Sequence, residues 1–133
     1  MLVSVKLIMN ITDKEIDNFN LQIIASLLFI ISIIISIILT YCEELDVFNI
    51  SIIDRDKRNK INIGNRLFAI FIVCLFLYSS FVALDIVKER NGNLDEQYIR
   101  IFINFITLGI ALLTLYVSIK YQNSDIDTGQ NIF

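Results

Sequence analysis

Histidine, proline and tryptophan are absent from this 133-residue sequence, and cysteine and glycine are scarce, at two and four residues. A chain without histidine cannot build a histidine-based catalytic triad or a histidine metal site. The sequence also contains no glycine-rich phosphate loop, no paired catalytic carboxylates and no recognisable nucleic-acid module. We therefore expect that the protein is not an enzyme, holds no cofactor or metal, and carries no nucleic-acid-binding module.

The lack of proline and cysteine also shapes the expected helices. Broken transmembrane helices of transporters are often marked by proline or glycine, and here only Gly109 interrupts an apolar segment. We therefore predict continuous helices. Cys42 stands at the end of one apolar segment and Cys74 inside another, at depths that differ by roughly 12 Å, which predicts two free thiols.

What the sequence has in abundance is long uncharged segments, with 56% hydrophobic and 19% charged residues overall. The segments lie between Asp17 and Glu43, between Arg66 and Asp85, and between Arg100 and Lys120. A helix needs about 20 mostly apolar residues to cross a bilayer, and buried helices of a soluble bundle would need polar outer faces that are missing here. The sequence therefore predicts an all-α membrane protein. Its three transmembrane helices are expected at residues 19–42, 66–88 and 99–121.

The segment before the first span, residues 1–18, is predicted to be an N-terminal arm or an interfacial segment. Thr12 and Glu15 have capping-box spacing, so we expect a helix to begin at Thr12. The segment is mixed in charge, and the apolar run after it is too long for a cleavable signal peptide. The first span is therefore predicted to be retained.

The remaining segments are predicted to be soluble. The first loop, residues 43–65, contains two β-prone runs around a polar turn, which predicts a small β-hairpin between residues 46 and 64. Residues 89–98 contain an Asn-Gly turn signal and should join the second and third spans tightly. Residues 122–133 are predicted to be a flexible polar tail.

Basic residues indicate how the chain would lie in a membrane. They divide almost equally between the two faces, and the run of Arg55, Lys57, Arg58 and Lys60 favours a cytoplasmic first loop. This run is a candidate site for a phosphate-bearing ligand or a partner protein. The simpler alternative is that it sets the topology and contacts lipid headgroups.

Polar side chains follow one face of the third span. At about 100° per residue they fall within an arc of about 80°, with steps of four and three residues. The stripe consists of Arg100, Asn104, Thr107, Ala111, Thr114 and Ser118. We predict that this stripe lines a pore or forms a helix interface, and chance scatter is the weakest alternative.

The first span carries a second stripe, in which small residues recur every four positions. Small residues let helices approach closely, and their hydroxyls can bond across the contact. The stripe consists of Gln22, Ser26, Ser32, Ser36 and Thr40. We predict that it mediates contact between subunits.

The second span has an aromatic face with heptad spacing, which predicts a packing seam. The face consists of Leu67, Phe71, Cys74, Tyr78, Phe81, Asp85 and Lys88. A charge near the membrane boundary is unfavourable unless it is paired. We therefore predict an ion pair between Asp85 and Arg100, with a proton or cation site at Asp85 as the alternative.

These features favour a homo-oligomeric ion channel or pore in the lipid bilayer, because three helices alone do not enclose a conduit. The isoleucine- and asparagine-rich composition suggests a bacterial protein of the inner (plasma) membrane. In size and number of spans, the chain resembles the small multi-pass membrane effectors of bacterial anti-phage systems. The alternative is a non-conducting interaction subunit, anchor or toxin-immunity protein. A phage holin is disfavoured because the tail is acidic rather than basic.

Overall fold

The computed structural model describes residues 2–121, and the predicted polar tail at 122–133 lies outside the described residues. The chain forms three helices, which are α1 (Leu2–Val47), α2 (Arg55–Glu89) and α3 (Asp95–Lys120). All three are long and apolar enough to cross a membrane. The predicted all-helical architecture with three candidate membrane spans is therefore confirmed, and it is that of a small multi-pass membrane protein.

The central helix of the arrangement is α2. It packs against α1 on one side and against α3 on the other, whereas α1 and α3 make no contact with each other over residues 2–121. The first two helices are antiparallel, as are the last two, because each pair is joined by a short connection. One side of α2 is therefore left open between its two neighbours.

Most large apolar side chains face outward, and many polar side chains face inward. Ile37, Tyr78 and Leu113 are each more than half exposed, whereas Asn18, Ser32 and Ser79 are buried. Lipid tails are as apolar as leucine, so helices in a bilayer associate through small and polar residues rather than through bulky apolar ones. The distribution of side chains is therefore the one expected of helices surrounded by lipid.

The predicted β-hairpin between residues 46 and 64 is wrong, because helices occupy most of this segment. Val47 is the last residue of α1, and α2 already begins at Arg55. Asn49 adopts a left-handed conformation with φ of 60°, and the Ile50 amide donates to the Leu45 carbonyl at 3.0 Å. This is the Schellman arrangement that ends many helices, and it reverses the chain without strands.

The turn predicted at Asn91-Gly92 is present, and it repeats the same arrangement. Asn91 has φ of 55°, and the Gly92 amide donates to the Val87 carbonyl at 2.9 Å. Asparagine tolerates the left-handed conformation better than most residues because its side chain can form local hydrogen bonds. In both connections the second residue after the helix end is therefore a left-handed asparagine.

The predicted helix start at Thr12 is also wrong, because α1 runs through this residue without a break. The Thr12 hydroxyl donates to the Ile8 carbonyl at 2.9 Å, which is a bond inside a helix and not a cap. At about 1.5 Å per residue, the 46 residues of α1 span about 69 Å. This is more than twice the hydrocarbon thickness of about 30 Å, so α1 extends beyond the bilayer.

Candidate functional site

The contact between α1 and α2 repeats every seven residues. The buried residues of this α1–α2 seam that follow the repeat are Ile11, Asn18, Ala25, Ser32 and Leu39 on α1. On α2 they are Arg58, Asn65, Ile72, Ser79 and Ile86. A seven-residue repeat is the spacing of helices that wind around each other. Within the span, polar and apolar layers of the seam alternate.

The first polar layer, the Asn18 cluster, consists of Asn18, Gln22 and Ser79. The Ser79 hydroxyl donates to Asn18 Oδ1 at 2.7 Å, and Gln22 Nε2 donates to Ser79 Oγ at 3.0 Å. Asn18 is 6% exposed and Ser79 is 3% exposed. The serine thus uses both its proton and its oxygen, and it joins two amides of α1 to α2.

The second polar layer, the Asn65 cluster, consists of Ser32, Ser36 and Asn65. The Ser32 hydroxyl donates to Asn65 Oδ1 at 2.8 Å. Asn65 Nδ2 donates to Ser36 Oγ at 3.0 Å and to the Ser32 carbonyl at 3.3 Å. An amide at membrane depth needs partners for all of these groups, and the small side chains of α1 supply them.

The two clusters together fix how α1 and α2 align. Asn18 and Ser32 are two heptads apart on α1, and Asn65 and Ser79 are two heptads apart on α2. Shifting one helix by a single heptad would place each buried asparagine against an apolar layer such as Ile72. A buried polar residue that specifies register in this way is well known in coiled coils.

A separate polar contact joins α2 to α3. Asn104 Nδ2 donates to Ser80 Oγ, and it also approaches the Phe76 carbonyl at 3.4 Å. Next to this contact the rings of Phe81 and Phe105 meet edge to face, with centroids 6.2 Å apart. Because Ser80 follows Ser79 in the chain, α2 presents one serine to each neighbouring helix at almost the same depth.

A cavity of about 260 Å³ lies beside these serines, on the side where α1 and α3 are apart. Its lining consists of Gln22, Phe76, Ser79, Ser80, Arg100, Ile103 and Asn104. In liquid water a molecule occupies about 30 Å³, so the cavity has room for several waters. Over the described residues the amide oxygens of Gln22 and Asn104 accept no hydrogen bond. The cavity is therefore lined by two side-chain amides and by Arg100, whose guanidinium pairs with Glu96.

The hydroxyls of the α3 stripe are satisfied by their own helix. Thr107, Thr114 and Ser118 donate to the carbonyls four residues earlier, at 2.8, 2.7 and 3.0 Å. Such bonds make hydroxyls tolerable in lipid. Asn104 and Ala111 are partly buried, whereas Thr107 is exposed. The stripe thus divides between the contact with α2 and the outer surface, and its lining of a pore stays a prediction.

The stripe of α1 also divides. Gln22, Ser32 and Ser36 bond to α2 of the same chain. Ser26 and Thr40 are exposed, and the Thr40 hydroxyl donates to the Ser36 carbonyl at 2.9 Å. A contact between subunits through this stripe stays a prediction. Of its members, only Ser26 and Thr40 are exposed and accessible to another subunit.

The predicted packing face of α2 does not form the contact with α1; its Phe81 contacts Phe105 of α3, and packing of the rest against another chain stays a prediction. Phe71 is 57% exposed and Tyr78 is 62% exposed, while the true seam carries Asn65 and Ser79. Asn65 and Ser79 are two heptads apart, so a search for small and polar residues at heptad spacing would have found them. The prediction of two free thiols is confirmed, since neither Cys42 nor Cys74 forms a disulfide.

The predicted ion pair between Asp85 and Arg100 is also wrong. Arg100 pairs with Glu96 of its own helix at 2.7 Å, and Asp85 is exposed on the outward face of α2. A partner four residues away on the same helix is already within reach of the Arg100 guanidinium. Within residues 2–121 no group of three or more cysteine, aspartate or glutamate side chains could hold a metal ion, and a proton or cation site at Asp85 stays a prediction.

The basic run predicted in the first loop lies on the first turns of α2. The helix therefore points its four side chains in different directions. Arg58 is buried and pairs with Asp46 of α1. Lys57 and Lys60 are exposed, and Lys60 approaches Asp56 at 3.5 Å. The four residues therefore do not form one continuous surface, and a ligand site there stays a prediction.

Comparisons with protein-family models, with curated proteins and with solved structures find no significant match to this chain.

Proposed function

We propose that the chain is a membrane interaction protein, in which an α1–α2 hairpin anchors α3 and α3 binds another transmembrane helix. The observation that carries this proposal is the distribution of burial. Within α3, which is described over its full length, only Ile101 is buried. The third helix thus packs on α2 along one face, and the rest of its surface is open to lipid or to other helices.

The alignment of the hairpin is fixed within the chain by two polar clusters. The Asn18 and Asn65 clusters bond α1 to α2 along the seam. Ion pairs close both ends, with Asp46–Arg58 at one end and Lys14–Glu89 and Glu15–Arg90 at the other. An exposed ion pair contributes little alone, but buried hydrogen bonds at defined positions specify the alignment. The hairpin is therefore suited to be an anchor.

A homo-oligomeric channel is the second candidate, and the cavity beside Gln22 and Asn104 favours it. Gln22, Asn104 and Arg100 share its lining, and polar side chains of this kind would suit the mouth of a hydrated path. The threonine hydroxyls farther along α3 could still accept hydrogen bonds from water. A role as a membrane-damaging effector belongs to this candidate, because it requires conduction.

Association and ion flux distinguish the two candidates. We would reconstitute the purified protein in liposomes and measure dye or ion release together with the distance between labelled copies. The interaction protein should associate, with itself or with a protein cross-linked to it in cells, without conducting. Flux that falls in the Thr107→Val, Thr114→Val variant, while association is unchanged, would support the channel instead.

The control for this experiment is Ile110→Val. This variant changes an apolar side chain of α3 that is 57% exposed, so it should alter neither flux nor association. A protein that remains monomeric, forms no cross-link to any other protein and releases no dye would contradict both candidates.

A further inference from the structure

We propose that Arg66 binds the phosphate group of an anionic lipid, at the end of the bundle where the C-terminal end of α3 lies against α2. The inference goes beyond the proposed function and does not depend on which of the two candidate functions is right. Its starting point is a positive charge that the chain buries. Within residues 2–121 two arginines are buried, Arg58 and Arg66, and Arg58 has a carboxylate partner in Asp46.

Arg66 has no such partner in the described part of the chain. The side chain is 7% exposed, and over residues 2–121 it forms no ion pair with a carboxylate. Its Nε atom is buried without a hydrogen-bond partner. A buried charge that is not paired is strongly unfavourable, and at the edge of a bilayer the neighbouring lipid tails do not solvate it. The guanidinium therefore needs a negative charge that these residues do not provide.

Arg66 lies on the face of α2 that meets α3, near one boundary of the third span. It precedes Ser80 by two heptads, and Ser80 bonds Asn104 of α3. Because the two helices are antiparallel, the residue of α3 level with Arg66 is about two heptads after Asn104, which is Ser118. Lys120, which follows about 3 Å farther along the axis, ends the uncharged part of α3. Arg66 therefore lies at the depth where the apolar part of α3 ends.

The acidic residues of the three helices are too far along the helix axes to neutralise Arg66. On α2 the nearest are Asp56 and Asp85, ten and nineteen residues away in sequence, which correspond to about 15 and 28 Å. The parts of α1 and α3 beside Arg66 belong to uncharged segments, residues 18–42 and 101–119. A change of rotamer therefore does not bring a carboxylate of these helices to the guanidinium.

The depth of Arg66 identifies its partner as a lipid headgroup. The uncharged part of α3, residues 101–119, spans about 28 Å. This length is close to the hydrocarbon thickness of about 30 Å, so the end of the segment lies beside the lipid phosphates. A guanidinium presents its N–H groups as a fork that fits two phosphate oxygens. The lipid should carry a net negative charge, because a zwitterionic headgroup brings a cation together with its phosphate.

Lys120 places a second positive charge at the same depth. Its Nζ lies 5.6 Å from the centroid of the Tyr116 ring and 5.4 Å from that of Tyr121, and tyrosine is enriched at the interface between membrane and water. This end of the bundle also carries the first loop, which is predicted to be cytoplasmic. Anionic lipids are concentrated in the cytoplasmic leaflet, and basic residues between helix ends on that side bind their headgroups.

Native mass spectrometry of the full chain in uncharged detergent tests the proposal, with phosphatidylglycerol as the anionic lipid and phosphatidylcholine as the zwitterionic one. Arg66→Gln should weaken phosphatidylglycerol binding by about tenfold or more, because it removes a charge-assisted contact with two oxygens. The matched control is Lys60→Gln, which removes one positive charge from the same helix where the side chain is 77% exposed. It should weaken binding by less than about twofold. A wild-type protein that binds the two lipids equally, or equal losses in the two variants, would overturn the proposal.

Thermal unfolding in the same detergent separates lipid binding from a purely structural role of Arg66. Phosphatidylglycerol should raise the unfolding midpoint of the wild type, because a ligand of the native state stabilises it, and should not raise that of Arg66→Gln. Without lipid, Arg66→Gln should be at least as stable as the wild type, because the substitution removes an unpaired charge. An arginine that only supports the fold would give the opposite result, with lower stability without lipid and an unchanged response to lipid.

Two further measurements identify the source of the negative charge. Inorganic phosphate should not reproduce the shift of the midpoint, and a shift equal to that of the lipid would assign Arg66 to a soluble anion and overturn the proposal. Asp125→Asn with Asp127→Asn, outside the described residues, should change neither the stability without lipid nor the response to lipid. If this double variant destabilises the wild type but not the Arg66→Gln protein, the two carboxylates are the partner of Arg66 and the proposal is wrong.

Discussion

Replacing Asn65 by leucine should destabilise the contact between α1 and α2. Asn65 is 7% exposed and takes part in three hydrogen bonds with Ser32 and Ser36. Hydrogen bonds between transmembrane helices contribute about 0.6 kcal/mol each on average, so the three together contribute about 2 kcal/mol. Leucine is similar in size, and the freed Ser32 hydroxyl can bond a carbonyl of its own helix. We therefore expect a loss of about 1–2 kcal/mol.

The assay is reversible unfolding in mixed detergent micelles, followed by energy transfer between labels on α1 and α2. Asn20→Leu is the matched control, because Asn20 is exposed and makes no side-chain hydrogen bond within the described part of the chain. It should leave the free energy of unfolding unchanged. In a double-mutant cycle, Ser32→Ala and Asn65→Leu should be coupled by about 0.6 kcal/mol. Equal stability of the Asn65→Leu and Asn20→Leu proteins would refute the reasoning that polar layers hold the hairpin.

Further predictions concern the ends and the other layer of the hairpin. Ser79→Val should reduce stability by about 1 kcal/mol in the same assay, because it removes two hydrogen bonds of the Asn18 cluster. Asp46→Ala should be more destabilising than Arg58→Met, because the first leaves a buried guanidinium without its carboxylate; equal losses would contradict this. Gly64→Ala should raise the unfolding free energy by up to about 1 kcal/mol, since the added methyl group meets nothing. Ser51→Cys, in the background without native cysteines, should resist an impermeant thiol reagent in intact cells and react after permeabilisation if the first loop is cytoplasmic.

The number and approximate position of the helices could be predicted from sequence because charge is expensive inside a bilayer. A segment such as the one between Asp17 and Glu43 can pair all of its backbone groups at membrane depth only as a helix. The N-terminal part of α1 was harder to predict. Lys14 and Glu15 pair with Glu89 and Arg90, and partners so distant in sequence leave no local pattern.

The packing of α2 could not be predicted with the rule that serves soluble proteins. There, a heptad of bulky apolar residues such as Phe71 and Tyr78 marks the buried face, because water drives it inward. Lipid removes that drive, and the seam is formed instead by Asn65, Ser79 and their neighbours. Periodicity identified helical faces correctly, but the choice between faces depends on the solvent around them.

The pairing of the polar groups could not be predicted from sequence either. The stripe of α1 was visible from the spacing of Ser32 and Ser36, but spacing does not say whether the partner belongs to the same chain or to another. That depends on the alignment of α1 with α2, which places Asn65 beside both serines. Alignment is a property of two helices together and is not contained in the pattern of either one.

The Asn65 cluster has a consequence for how the chain is made. During synthesis α1 enters the membrane before α2. Its serines need no partner helix at that stage, because hydroxyls such as that of Ser36 can donate to a carbonyl of the same helix, here that of Ser32. The Asn65 amide cannot satisfy both of its groups within its own helix, so α2 depends on a neighbour that is already in place. The first helix of each chain thus provides the hydrogen-bond partners that the second helix needs when it inserts. A fragment that begins after α1 should therefore insert less efficiently than the same fragment with Asn65→Leu.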